Sequence, residues 1–114
     1  MYLVTRADLP PGDQAAQLAH AALDLAATHP HLIEGWRRTS NTIVLLAAPN
    51  ELALTWLHAD AVAAGRAAVA VHEPDLHGSL TAVALEPAAH RLVAHLPLAL
   101  SRGRALDRST DEGR

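Results

Sequence analysis

The stretch Val71–His77, VHEPDLH, places two carboxylates, Glu73 and Asp75, and two histidines, His72 and His77, within seven residues. In an extended segment, residues two apart face the same way, so Glu73 and Asp75 could share a site. Two neighbouring carboxylates push each other's pKa apart, which suits one acid and one base. The pair could equally hold a cation such as a guanidinium or an amine. A plainer reading is a solvated loop turned by Pro74 and capped by Asp75. A metal site would use His72, Glu73, Asp75 and His77, with His20 as a further ligand. That spacing matches no specific metal signature, and eight histidines in the chain make clustering easy.

A second group of polar residues lies in QAAQLAHAALDLAAT, Gln14–Thr28. Asp13, Gln17, His20 and Asp24 recur at helical spacing, opposite an apolar face of Ala15, Leu18, Ala19, Ala22, Leu25 and Ala26. His20 suits a general base or a substrate anchor, because imidazole titrates near neutrality. The alternative is an exposed histidine paired with Asp24 one turn on. Arg6 and Asp8 could pair with each other or point into a site. Ser79 and Thr81 offer hydroxyls, but no Gly-x-Ser-x-Gly elbow accompanies them, which argues against a serine triad. Arg37, Arg38 and Arg66 read as a solvated face, and Trp36 and Trp56 as core or dimer contacts.

The elements that must position these residues follow from the apolar pattern. MYLVTR reads as a first strand and Pro10-Pro11-Gly12 as a loop, with Asp13 as the cap of the first long helix. HPHLIEGWRR is a short second helix. NTIVLLAA is a continuous apolar run, as expected of a strand covered on both faces. Asn50 caps a third helix that Gly65 stops. RAAVAV and LTAVALE are two further strands, separated by the ionisable stretch. A last helix, PAAHRLVAHL, starts at Pro87 and ends before Pro97. The order β-α-α-β-α-β-β-α predicts a three-layer α/β sandwich. Helix-linked strands run parallel, and the short connection between the last two makes the sheet mixed. In such sheets ligands bind at the carboxyl ends of strands, where the first and third strands would both end. We expect one domain over residues 1–100 and a flexible charged tail over residues 101–114.

Composition narrows the partners. Half of the 114 residues are apolar, with no phenylalanine, two tryptophans and one tyrosine, so the core is built mainly of Ala, Leu and Val. A core of small side chains buries little area per residue, which favours close layers and a homodimer. The formal net charge is −3 and all nine basic residues are arginine. Any contact with phosphate must therefore rest on a local arginine patch. There is no cysteine, hence neither disulfide nor thiolate chemistry. Neither a signal peptide nor a membrane-length apolar run is present, so a cytoplasmic location is expected.

The front of the chain, VTRADLPPGDQAAQLAHAA, resembles the peptidyl-tRNA hydrolase 2 family. The matching residues are Arg6, Asp8, Leu9, Gly12, Ala15, Ala16, Gln17, His20 and Ala21. Near the end, SLTAVALEPAAHRL is similar to the family's Thr-bearing strand that closes in Pro before a last helix, through Thr81 and Pro87. The resemblance covers most of residues 1–100. It implies a four-stranded mixed sheet with helices on both faces, usually in a dimer, and hydrolysis of the ester between a peptidyl group and tRNA. Asp13 stands where the family has a functional lysine, and VHEPDLH where it has an Asp-Ala-Gly-x-Thr motif.

The expected site is a cleft between residues 12–20 and residues 72–78. His20, Glu73 and Asp75 are its catalytic candidates. Arg6, Asp8, Asp13, Gln17 and Thr81 are candidates for substrate binding; neither metal nor cofactor is expected. Three functions fit: hydrolysis of peptidyl- or aminoacyl-tRNA esters; acid–base chemistry on a cationic, arginine- or amine-bearing small molecule or peptide; and non-catalytic binding by a dimer.

Overall fold

The computed structural model describes residues 1–101. Most of the expected tail lies outside the described residues. Four strands, β1 (Tyr2–Arg6), β2 (Val44–Ala48), β3 (Ala68–Glu73) and β4 (Ser79–Leu85), form one sheet in the order β2-β1-β4-β3. β1 pairs parallel to β2, and β4 runs antiparallel to both β1 and β3. β1, β2 and β3 thus point the same way. Their carboxyl ends, Arg6, Ala48 and Glu73, meet the start of β4 at Ser79 along one edge. Both the mixed sheet and the three-layer sandwich expected from the element order are present.

Helices cover both faces. α1 (Pro11–Thr28) and α2 (Pro30–Arg38) lie on one side, where Leu18, Ala21 and Leu25 pack with Met1, Leu3, Val71, Ala82 and Ala84. α3 (Glu51–Ala63) and α4 (His90–Val93) lie on the other, where Leu54, Leu57, Ala61 and Val93 meet Val4, Leu46, Val83 and Leu85. Alternation along β1 sends Leu3 and Thr5 to the α1 layer and Val4 to the α3 layer. Fully buried leucines such as Leu25 and Leu54 each contribute about 1.5–3 kcal/mol of transfer free energy. Pro97–Ala99 runs along the outer edge of β2: Ala47 donates to the Pro97 carbonyl and Ala99 to that of Leu45. The exposed ladder groups of that edge are partly satisfied in this way.

Several boundaries depart from the expected ones. α1 begins at Pro11, not after an Asp13 cap; Pro10 holds the cap position without a side-chain bond. Proline at the first helical position has no N–H to satisfy and arrives with helical φ. Asp13 sits exposed in the first turn. The buried face of α1 is Gln14, Gln17, Leu18, Ala21 and Leu25, whereas Ala15 and Ala19 are exposed. In so alanine-rich a helix, methyl groups discriminate weakly between faces, and the polar partners of the glutamines decide the rotation. The last helix shrinks to a 3₁₀ turn, Pro87–Ala89, and the single turn of α4. β3 extends to Glu73, so part of the ionisable stretch belongs to the sheet.

Candidate functional site

The central feature is a buried polar chain beneath α1. The register of β3 against β4 pairs Val71 with Ala82 but His72 with Leu80. Thr81 is therefore an extra residue, a β-bulge, and the bulge turns its side chain into the α1 layer beside that of Ala82. There the Thr81 hydroxyl donates to Gln17 Oε1 at 2.7 Å, and Gln17 Nε2 donates to Glu73 Oε1 at 2.9 Å. The hydroxyl of Thr5 donates to the Thr81 carbonyl at 2.9 Å. Thr5 and Thr81 are each 0 % exposed, and Gln17 is 6 % exposed. The carboxylate can only accept, so Nε2 must face Glu73 and Oε1 must face Thr81. Three side chains, from β1, α1 and β4, thereby fix the carboxylate that ends β3 at the sheet's edge.

The Glu73 carboxyl is held below the usual carboxylate range. The Gln17 amide is the main cause, followed by the Asp75 backbone N–H at 3.3 Å; burial opposes them, and the nearby His20 charge adds to them. A hydrogen bond to the charged form favours ionisation. Glu73 is thus a well-oriented acceptor whose charged form is favoured, and none of these influences is a like charge. Glu73 ends β3, while Asp75 lies in the 3₁₀ turn Pro74–Leu76. The expectation of two carboxylates facing the same way in an extended segment therefore fails. Asp75 is exposed and contributes its backbone to Glu73.

A second cluster occupies the α3 side of the same edge. Arg6 Nε and Nη2 form a fork on Asp8 at 2.9 and 3.0 Å. This bidentate pair raises the Arg6 pKa and lowers that of Asp8. Arg6 Nη1 also donates to the Leu80 carbonyl at 3.3 Å, and the Leu80 N–H donates to Glu51 Oε2 at 2.8 Å. The residue before the bulge is thus held from both sides. Glu51 opens α3, directly after Asn50, whose side chain caps the Ala53 N–H. Arg6, Leu9, Glu51, Leu76, His77, Gly78 and Ser79 line an open cleft of about 530 Å³. His77 and Gly78 both take left-handed conformations there, at φ 59° and 73°, closing the β3–β4 connection.

The structure thus joins Gln17, Glu73 and Thr81 directly, brings His20 near Glu73, and sets Arg6 and Asp8 across the edge of the sheet. It leaves Asp13 and Asp75 exposed, and the cleft opens on the α3 side, not between residues 12–20 and 72–78. Among the described residues, no three His, Asp or Glu side chains are arranged to hold a metal, so the His72–His77 metal reading has no geometry behind it. No helix of the described residues is long and apolar enough to cross a membrane. Sequence reasoning missed Glu51, which reads as an ordinary acidic residue in a first helical turn. Its place directly after a strand and a cap was the available signal, because that position falls at the carboxyl edge of the sheet.

A four-stranded mixed sheet between helical layers defines an α/β protein, and its candidate site lies at the edge where polar side chains gather at the strand ends. The family model described as peptidyl-tRNA hydrolase PTH2 matches residues 1–101, and the chain belongs to that family. A search of curated proteins finds no match.

Proposed function

We propose that this protein hydrolyses the ester joining a peptidyl or aminoacyl group to the terminal ribose of tRNA. Family membership supports the reaction class. The observation that carries the assignment of roles is the locked orientation and lowered pKa of Glu73. A carboxylate whose charged form is favoured by its hydrogen bonds is a weaker proton acceptor and a good fixed acceptor. Glu73 therefore orients the attacking water, and His20 accepts its proton. The water oxygen bonds to the ester carbonyl carbon, and the bond from that carbon to the ribose oxygen breaks. His20 returns the proton to the departing ribose oxygen. Thr81 and Gln17 are positioning residues for Glu73; Arg6, held by Asp8, lines the wall of the cleft toward the substrate.

The test is release of a labelled N-blocked amino acid from aminoacyl-tRNA. His20→Asn should lower kcat by about 10²-fold or more, the usual scale of general acid–base catalysis. Release no faster than spontaneous hydrolysis, or full activity in a His20→Asn/Glu73→Gln double variant, would refute the assignment.

A second reading is favoured by the charge of the edge. Among the described residues, Glu51, Glu73 and Asp75 lie at the strand ends with Asp13 in the first turn of α1, and Arg6 beside them is engaged by Asp8. Such an edge suits a cationic, arginine- or amine-bearing substrate. Turnover of such a substrate without any measurable binding of tRNA at low salt would favour it over the first.

A further inference from the structure

The facing of the β4 side chains changes at one place. Leu85 and Val83 face the α3 layer, and Ala84 and Ala82 face the α1 layer, as strand alternation requires. Continued unbroken, that alternation would send Thr81 to the α3 layer and Leu80 to the α1 layer. Both are reversed: Leu80 packs in the α3 layer, and the Thr81 hydroxyl reaches Gln17 on α1. The extra residue of the bulge makes the reversal. A one-residue slip that removed the bulge would turn the Thr81 hydroxyl to the far face of the sheet. Gln17 would lose it, and Glu73 would lose an oriented amide.

What holds the bulge lies on that far face. The register of β1 with β4 ends at Thr5 and Ala82, short of Leu80. Side chains serve the Leu80 backbone instead. Its N–H donates to Glu51 Oε2 at 2.8 Å, and its carbonyl accepts from Arg6 Nη1 at 3.3 Å. Leu80 is 5 % exposed, so water is a poor substitute for either bond. Asp8 takes Nε and Nη2 of Arg6, which leaves Nη1 for Leu80. Glu51 is set in place as the first residue of α3, directly after the Asn50 cap.

We propose that Glu51 is a positioning residue for the hydrolytic site and acts through the sheet. With Arg6 it pins Leu80, the pinned bulge presents Thr81 to Gln17, and Gln17 aims the Glu73 carboxylate at the attacking water. The kinetic consequence rests on the tRNA-ester reading above.

The test compares Glu51→Ala, Glu51→Gln and Glu86→Ala in the full chain. Glu86 is a matched control: its Oε2 also accepts a backbone N–H, that of Ala67 at 2.6 Å, but at the opposite end of the sheet. Carboxyl NMR titration follows Glu73, and release of a labelled amino acid from aminoacyl-tRNA follows turnover. In Glu51→Ala the Glu73 carboxyl should rise toward its ordinary range. Loss of the Glu51 charge alone would move it the other way, so a rise reports the broken contacts. kcat should fall about 10- to 100-fold, the scale of a small misplacement within a site. KM should change by less than about twofold, and a raised KM at unchanged kcat would make Glu51 a substrate contact and overturn the proposal. Glu51→Gln, whose carboxamide oxygen still accepts, should restore both the Glu73 titration and kcat. Glu86→Ala should lose stability and leave both unchanged. If Glu51→Ala does not fold, Glu51→Asp, one methylene too short for Leu80, gives the same reading with the charge kept. An unchanged Glu73 titration, or an equal rise in Glu86→Ala, would overturn the proposal. If the unaltered chain releases nothing above the spontaneous rate, the ester reading fails, while a Glu73 that rises in Glu51→Ala still supports the link across the sheet.

Discussion

Replacing Thr81 by valine keeps the volume and removes one hydroxyl from the buried chain. Gln17 Oε1 then loses its 2.7 Å donor, and at 6 % exposure Gln17 has little access to water. Leaving a buried acceptor unsatisfied costs about 1–3 kcal/mol. For a domain of this size that corresponds to a drop in Tm of about 5–20 °C. The Cm in urea should fall at unchanged m, since the fold and its buried surface remain. The second effect is electrostatic. Without Thr81, the Gln17 amide is free to turn away, and the Glu73 carboxyl should rise toward its ordinary range. The sign of the pH dependence follows. Glu73 is depressed in the folded state, so its contribution is present above the unfolded carboxyl pKa of about 4.3 and is lost as pH falls through the folded value. Thr81→Val should therefore lose less stability on acidification than the unaltered protein does. Carboxyl titration by NMR reads the pKa directly. A double change, Thr81→Val with Gln17→Leu, removes both partners and should recover part of the loss. A stability change under about 0.3 kcal/mol, with Glu73 titrating as before, would refute the account of the buried chain.

Two further outcomes are expected. Glu51→Ala removes the acceptor of the Leu80 N–H and should cost about 1–2 kcal/mol in urea denaturation, with Glu51→Gln recovering part of it, because a carboxamide oxygen still accepts. The family resemblance implies a homodimer, and the exposed apolar outside of α3 is the face such a dimer would use. Leu52 is 61 % and Trp56 66 % exposed there, beside an apolar groove lined by Trp56, Leu92, Leu96 and Pro97. Trp56→Glu should then yield monomers by sedimentation equilibrium, whereas a monomeric unaltered chain would remove the basis for the expectation.

The layout was legible because it depends on patterns that survive without partners. Continuous apolar runs such as Ile43–Ala48 mark strands buried between layers, and Asn50 and Gly65 bracket α3 as a cap and a stop should. The motif at Gln17 and His20 falls on the helix that sets Gln17 against Thr81 and Glu73. What stayed hidden depends on contacts between segments far apart in the chain. Gln17 sits on what looks like a polar stripe, and it is buried only because Thr81 and Glu73 satisfy it. The bulge that brings Thr81 to it has no signature in SLTAVAL; it exists only in the register against β3. The turn at Pro74 removed the shared facing of Glu73 and Asp75, because a 3₁₀ turn breaks the two-residue alternation of a strand. Glu51 was hidden for the opposite reason: an acidic residue in a first helical turn has a sufficient local role of its own.

The placement of β4 between β1 and β3 has a consequence for how the molecule comes into being. β1 and β4 are neighbours in the sheet although they lie at opposite ends of the domain's sequence, and the Thr5–Thr81 bond spans 76 residues. A nascent chain emerging from the ribosome can wind α1 early, but its first strand waits for almost the whole domain before its inner neighbour exists. Such long-range closure is slow, and the apolar flank of β1 is exposed to wrong partners meanwhile. The Gln17–Glu73–Thr81 chain needs both α1 and the β3–β4 pair in place, so recovery of the depressed Glu73 during refolding should report when α1 has docked on that pair.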